Sequence, residues 1–292
     1  MDLLFYLLIF LLVLIVSSTT NKLLPFLPMP LIQILLGIGI GLCLPNNQYH
    51  LDTELFLALV IGPLLFREAQ EADVTSILKH WKIVLYLIFP VIFVSTLSMG
   101  GLAHVLWIGL PLAACVAVGA ALGPTDLVAF ASLSERFTFP KRISNILKGE
   151  GLLNDASGLI AFRVALIAWT TGTFSIAQAG ISLAISIVGG LAVGLMTALI
   201  NRFLHSFLLS VRATDIASEL LLDLSLPLLT FFIAEGIHVS GIIAVVVAGI
   251  LKASRFKKIN LLEAQVDTVT ETVWHTVTFM LNGSVFVVLG ME

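Results

Sequence analysis

The 292-residue chain predicts an all-α polytopic membrane protein, and three observations carry that prediction. Hydrophobic residues make up 59% of it and charged residues 11%, where an ordinary soluble domain carries about 25% charged residues. The apolar residues come in long continuous runs; barrel strands would alternate apolar and polar positions over about ten residues. Basic residues gather in every second segment between runs, as the loops on one side of a membrane do. A net charge of −3 with no basic tail gives no footprint for a nucleic-acid partner. The bilayer itself is the predicted surrounding.

Punctuation by Pro, Gly and charge divides the chain into ten spans, at 3–20, 30–45, 53–66, 82–104, 112–134, 144–170, 175–204, 217–236, 239–252 and 271–291. The first contains Leu3–Val16, an apolar run of signal-peptide size. No basic residue precedes it and no small-residue cleavage site follows, so it reads as a retained helix. The third and ninth are the shortest, below the roughly 20 residues that cross a bilayer upright. Cys43 and Cys115 both sit in apolar runs and read as buried free thiols without metal-site spacing.

Loop charge supports the count collectively. With the N-terminus outside, the cytoplasmic segments hold Lys22; Arg67, Lys79 and Lys82; Arg136, Lys141, Arg142 and Lys148; Arg202 and Arg212; and Lys252, Arg255, Lys257 and Lys258. That is 14 of the 15 basic residues, and the external segments hold none. The remaining one, Arg163, falls inside the sixth span. Adding or losing a span would scramble the asymmetry, which is why it fixes orientation.

Two acids then stand out. Asp126 in GPTDLVAF and Asp155 in GEGLLNDASGLIAF lie 29 residues apart on consecutive spans. Counting from Glu135 and Arg142, a helical rise of about 1.5 Å per residue puts them roughly 14 and 20 Å from the cytoplasmic ends. Both are therefore near mid-membrane, where an ionisable group is costly and marks an ion or proton path. Gly123 and Pro124 interrupt the fifth span just before Asp126, and broken helices at that depth expose backbone groups that transporters use to bind ions. Thr125, Asn154 and Ser157 offer oxygen ligands of the kind hard cations take. Ser157 fits equally well as a hydroxyl bonded to its own helix.

Other polar residues have weaker readings. Glu150 needs a cation or a cavity. Arg163, eight residues after Asp155, lies about 80° off its face and reads either as a counter-charge or as snorkelling outward. Gly149, Gly151 and Gly158 allow close helix approach. Glu68 and Glu71 read as solvated loop, Glu219 and Asp223 as interfacial, and Glu235 as structural.

These segments resemble the NhaP-like sodium/proton antiporters and animal exchangers, the first family of monovalent cation:proton antiporters. The matching stretches are Gly62–Phe66, Gly123–Phe130, Gly149–Asp155, Ala234–Gly241 and Asn282–Gly290. The resemblance implies an antiporter fold of thirteen helices, two inverted repeats around a linker, with a broken helix at mid-membrane and a homodimer. On that analogy residues 1–172 form the first repeat, with helices 1–3 its interface part and 4–6 its core part. Residues 173–206 form the linker, and 207–292 the interface helices of an incomplete second repeat. About ten of thirteen spans would be present, so a fragment is expected, and the arginine that the family would pair with Glu150 would lie outside it. Asp155 becomes the ion and proton carrier, Asn154 its neutral neighbour, and Thr125 with Asp126 the helix crossing. Gly151 stands where many relatives have serine, Arg67 where some archaeal relatives have an acid, and Asn282 near an animal-exchanger glutamate.

The expected function is exchange of Na⁺, Li⁺ or K⁺ for H⁺ across the cell membrane, with no cofactor and one carrier, hence electroneutral. Two other classes fit these residues less well. An intramembrane aspartyl protease would use both acids as a dyad, but glycine-x-glycine is expected before one aspartate and GPTD stands here. A cation channel usually builds acid rings by oligomer symmetry. Antiport needs an opposing ion gradient, a channel does not, and a protease moves nothing.

Overall fold

The computed structural model describes residues 2–43, 52–72, 79, 81–86, 90–107, 109–125, 139–171, 176–211, 215–253 and 261–291. The helices are α1 Asp2–Leu23, α2 Met29–Cys43, α3 Thr53–Phe56, a π turn Leu57–Ile61, α4 Gly62–Glu71, α5 Trp81–Tyr86, α6 Ile92–Leu106 and α7 Leu112–Leu122. They continue as α8 Lys141–Thr171, α9 Ile176–Ser210, α10 Ile216–Gly236, α11 Gly241–Ala253 and α12 Leu261–Met291. The expected third span thus runs on to Glu71, and the tenth begins ten residues early, at Leu261. Ala184–Leu208, Ile216–Gly236 and Thr268–Met291 are each long and apolar enough to cross a membrane alone.

Local chemistry sets the boundaries. Asp52 caps α3 by accepting from Glu54 N at 3.0 Å and Leu55 N at 3.2 Å. Pro63 has no N–H to continue the ladder, and just before it Gly62 N reaches back to Leu57 O, which widens the helix into the π turn. Asp215 caps α10 through Ser218 N at 3.0 Å, and the Ser218 hydrogen bonds hold its carboxyl below the usual carboxylate range.

The chain forms two compact units. One gathers Met1–Arg67, His205–Leu228 and Lys257–Glu292. Here α2 and α12 meet backbone to backbone. A methyl on Gly37 would run into Val287 O, and one on Gly41 would stand 2.9 Å from Met291 O. This is the small-residue packing that membrane helices use in place of a hydrophobic drive. Gly283 likewise admits Leu14 and Gln33, drawing α1, α2 and α12 together. Asp223, expected at the interface, is instead buried. The Trp274 indole Nε1 donates to its Oδ2 at 2.7 Å, and the same ring packs on Phe66 with centroids 5.9 Å apart. Sequence distance hid this pairing, since the two residues are 51 positions apart. Trp274→Phe keeps most of the packing and deletes the donor, so it should cost about 1–3 kcal/mol, read as a lower melting temperature in detergent. Near the start of α10, His205 Nε2 and Glu219 Oε1 approach to 3.3 Å.

The other unit holds Glu68–Leu204 and Leu229–Phe256. Gly119 of α7 lies against Thr96 O and the Gly100 backbone of α6. Gly189, Gly190 and Gly194 of α9 admit the start of α11, and Val193, Ala234, Val239 and Ala244 form a buried core there. Glu235 is structural in the way expected: its Oε1 accepts from Gly241 N at 3.2 Å, joining α10 to α11 across a turn in which His238 takes φ 61°. Much of α9 presents Ile181, Ile185, Val188 and Leu195 outward, a surface suited to lipid.

Candidate functional site

The site grows from the end of α7. This helix stops at Leu122; Gly123 keeps helical dihedrals, φ −75° and ψ −38°, and the hydrogen-bonded run ends before Pro124 and Thr125. Pro124 cannot donate to the Ala120 carbonyl, so the ladder fails where the sequence placed the break. The long helix α8 passes alongside. Its Gly158 is buried against Pro124, and a methyl there would collide with the proline ring. That contact is what brings residue 125 within reach of α8.

Three polar side chains then close a triangle. Thr125 Oγ1 donates to Glu150 Oε2 at 3.0 Å. Asn154 Nδ2 lies 2.7 Å from Glu150 Oε1 and 3.2 Å from Thr125 Oγ1. Glu150 and Asn154 are one helical turn apart, which sets them on the same face of α8. Both are buried, at 7% and 1% exposure. Asn154 Oδ1 is enclosed and has no hydrogen-bond partner among the described residues. An apolar bilayer offers no water to satisfy such an oxygen, so it is a candidate cation ligand.

Glu150 was expected to lack a partner; it has two neutral donors. The signal for Asn154 was in the sequence as an i,i+4 spacing. That for Thr125 was not, because it depends on how the broken helix crosses α8. Ser157 Oγ donates to Asn154 O at 2.9 Å, the helix-backbone alternative. Asp155 follows Asn154 on α8, about 100° further round the axis; its side chain and that of Arg163 lie outside the description. Asp126 lies outside the described residues. Among the described residues no cluster of three or more His, Cys, Asp or Glu could hold a metal ion. The oxygens of Thr125 and Asn154 instead suit a hard monovalent cation.

A helix that ends at Gly123–Pro124 beside a long helix carrying a buried carboxylate and amide fits a membrane fold of the inverted-repeat antiporter type. The chain belongs to the sodium/hydrogen exchanger family: the profile described as "Sodium/hydrogen exchanger, transmembrane" matches residues 7–292. It is 36% identical over 292 residues to the sodium, potassium, lithium and rubidium/H⁺ antiporter of Bacillus subtilis, covering all of this chain and 44% of that protein. It is 28% identical over 268 residues to the Na⁺/H⁺ antiporter NhaH of Halobacillus dabanensis, covering 89% and 66%. The fold matches the sodium proton antiporter MjNhaP1 of Methanocaldococcus jannaschii with a TM-score of 0.74 at 20% identity, over all of this chain and 71% of that one. The chain thus spans less than half of the Bacillus relative.

Proposed function

We propose that this protein takes part in exchanging Na⁺, or Li⁺ or K⁺, for H⁺ across the cell membrane, with Asp155 as the group that binds cation and proton in turn. The single observation that carries this reading is the Thr125–Glu150–Asn154 triangle at the helix break, next in the chain to Asp155. It supplies oxygen ligands at a helix end, and membrane transporters bind small cations at such ends. The names of the Bacillus and Halobacillus relatives support the ion pair.

Mechanistically, a carboxylate that holds either a cation or a proton, never both, couples the two fluxes. The carrier must exchange its proton within the working pH range, and its surroundings tune that. Asn154 and Thr125 would supply neutral oxygens. Glu150, held by their hydrogen bonds, would fix their orientation. Asp126 would lie at the crossing. Arg163 would act as a counter-charge or snorkel outward, and Ser157 would brace the helix behind Asn154.

The basic segments support an N-terminus on the outside. The repeat division at 172 and 206, and a homodimer, complete the reading. One carrier implies one cation for one proton, hence no net charge moved. The test uses the complete protein in proteoliposomes, with a Na⁺ gradient as the driving force and a pH dye as the readout. Proton movement should require the opposing Na⁺ gradient and ignore an imposed voltage. Flux without an opposing gradient would indicate a channel, and a rate that tracks voltage would require a second carrier.

A further inference from the structure

Two hydroxyls on α6 stand against the helix break, and the triangle does not use them. Ser95 Oγ faces Gly123 O as a donor at 3.5 Å. Thr96 is 6% exposed, and its Oγ1 has no hydrogen-bond partner among the described residues. Both point to one place: a methyl built on Gly123 would stand 3.0 Å from Ser95 Oγ and 3.3 Å from Thr96 Oγ1.

A helical threonine ordinarily returns its hydroxyl to the carbonyl three or four residues back. Thr19, Thr170, Thr197, Thr272 and Thr276 all do so here. Thr96 does not, although burial makes an unmade bond costly. Beside it the helical ladder of α7 stops: Pro124 has no N–H to offer the Ala120 carbonyl, and the Gly123 carbonyl faces Ser95 Oγ instead. The unpartnered Thr96 hydroxyl therefore stands beside Gly123, where the α7 ladder ends.

We propose that Ser95 and Thr96 are positioning residues of the transport site. Ser95 holds the Gly123 carbonyl in the arrangement seen here, and Thr96 takes up the carbonyl end of the broken helix when it shifts around a bound cation. A second hydroxyl lets those carbonyls move without losing a donor. The proposal rests on the exchange reading above.

Thr96→Val keeps the shape and removes the hydroxyl. If Thr96 only packs, deleting an unpaired buried donor leaves transport unchanged. As a positioning residue, it should keep or raise the melting temperature yet increase the half-saturating Na⁺ concentration about three- to tenfold, the value of one hydrogen bond. Thr96→Ser should restore it, and Ser95→Ala should shift it the same way. Unchanged half-saturation in Thr96→Val and Ser95→Ala overturns the proposal. So does a transport loss that merely follows a lowered melting temperature and that Thr96→Ser does not relieve. Should Thr96→Val not fold, Ser95→Ala and Thr96→Ser decide alone. Wild-type vesicles without Na⁺-driven proton movement would remove the exchange reading and this proposal with it, an outcome visible before any variant is made.

Discussion

Asp155→Asn should abolish Na⁺-driven proton movement while leaving the protein folded. The substitution keeps the size and hydrogen-bonding capacity of the side chain and removes its ability to titrate. Asn154 beside it cannot substitute, because its amide is neutral. Glu150 is a poor stand-in too: both its oxygens are engaged, at 3.0 Å by Thr125 and 2.7 Å by Asn154. Exchange should therefore drop to the level of empty vesicles, with the melting temperature in detergent little changed. Wild-type rates in Asp155→Asn would transfer the carrier role elsewhere.

Gly158→Val should be nearly as damaging, for a geometric reason. The added side chain would meet the ring of Pro124, which cannot turn away because proline fixes its backbone angle. Overpacking of this kind costs about 1–3 kcal/mol, and relief must come from moving α8 off the break. That movement would pull Glu150 and Asn154 from Thr125. We expect at least about a tenfold fall in exchange, the equivalent of roughly 1.4 kcal/mol. Gly101→Ala is the matched control: nothing lies within 4 Å of a methyl there. Equal activity in the two variants would show that the contact with Pro124 does not set the site.

Much of this was legible in the sequence. Continuous apolar runs gave the helical class, and Gly123–Pro124 gave the break, because proline's missing donor acts whatever the surroundings. The family resemblance followed from five short stretches along the chain, and the Glu150–Asn154 pairing from an i,i+4 spacing on one helix. What stayed hidden depends on contacts between distant segments. Glu150 looked unpartnered because Thr125 is 25 positions away and reaches it only through the Gly158–Pro124 approach. Asp223 looked interfacial because a carboxylate early in an apolar span usually is; Trp274, 51 positions on, buries it.

The α6 hydroxyls were invisible for a related reason. Serine and threonine in a membrane helix normally satisfy themselves on their own backbone, so their presence at 95 and 96 carries no signal by itself. Only the failure of Thr96 to do so sets it apart, and that shows in atoms, not letters. Helix ends were legible to within a few residues where Pro or a capping acid stood, as at Asp52 and Asp215. The start of α12 was not, since a polar stretch continues the helix ten residues ahead of the apolar run.

Competition between cation and proton at one carboxylate can be measured without transport. Na⁺ is added to the purified complete protein in weakly buffered detergent solution, and released protons are counted with a pH dye. The account predicts about one proton released per Na⁺ bound, saturating with Na⁺ and absent in Asp155→Asn. Saturable Na⁺ binding that releases no proton, or release that persists in Asp155→Asn, would contradict it.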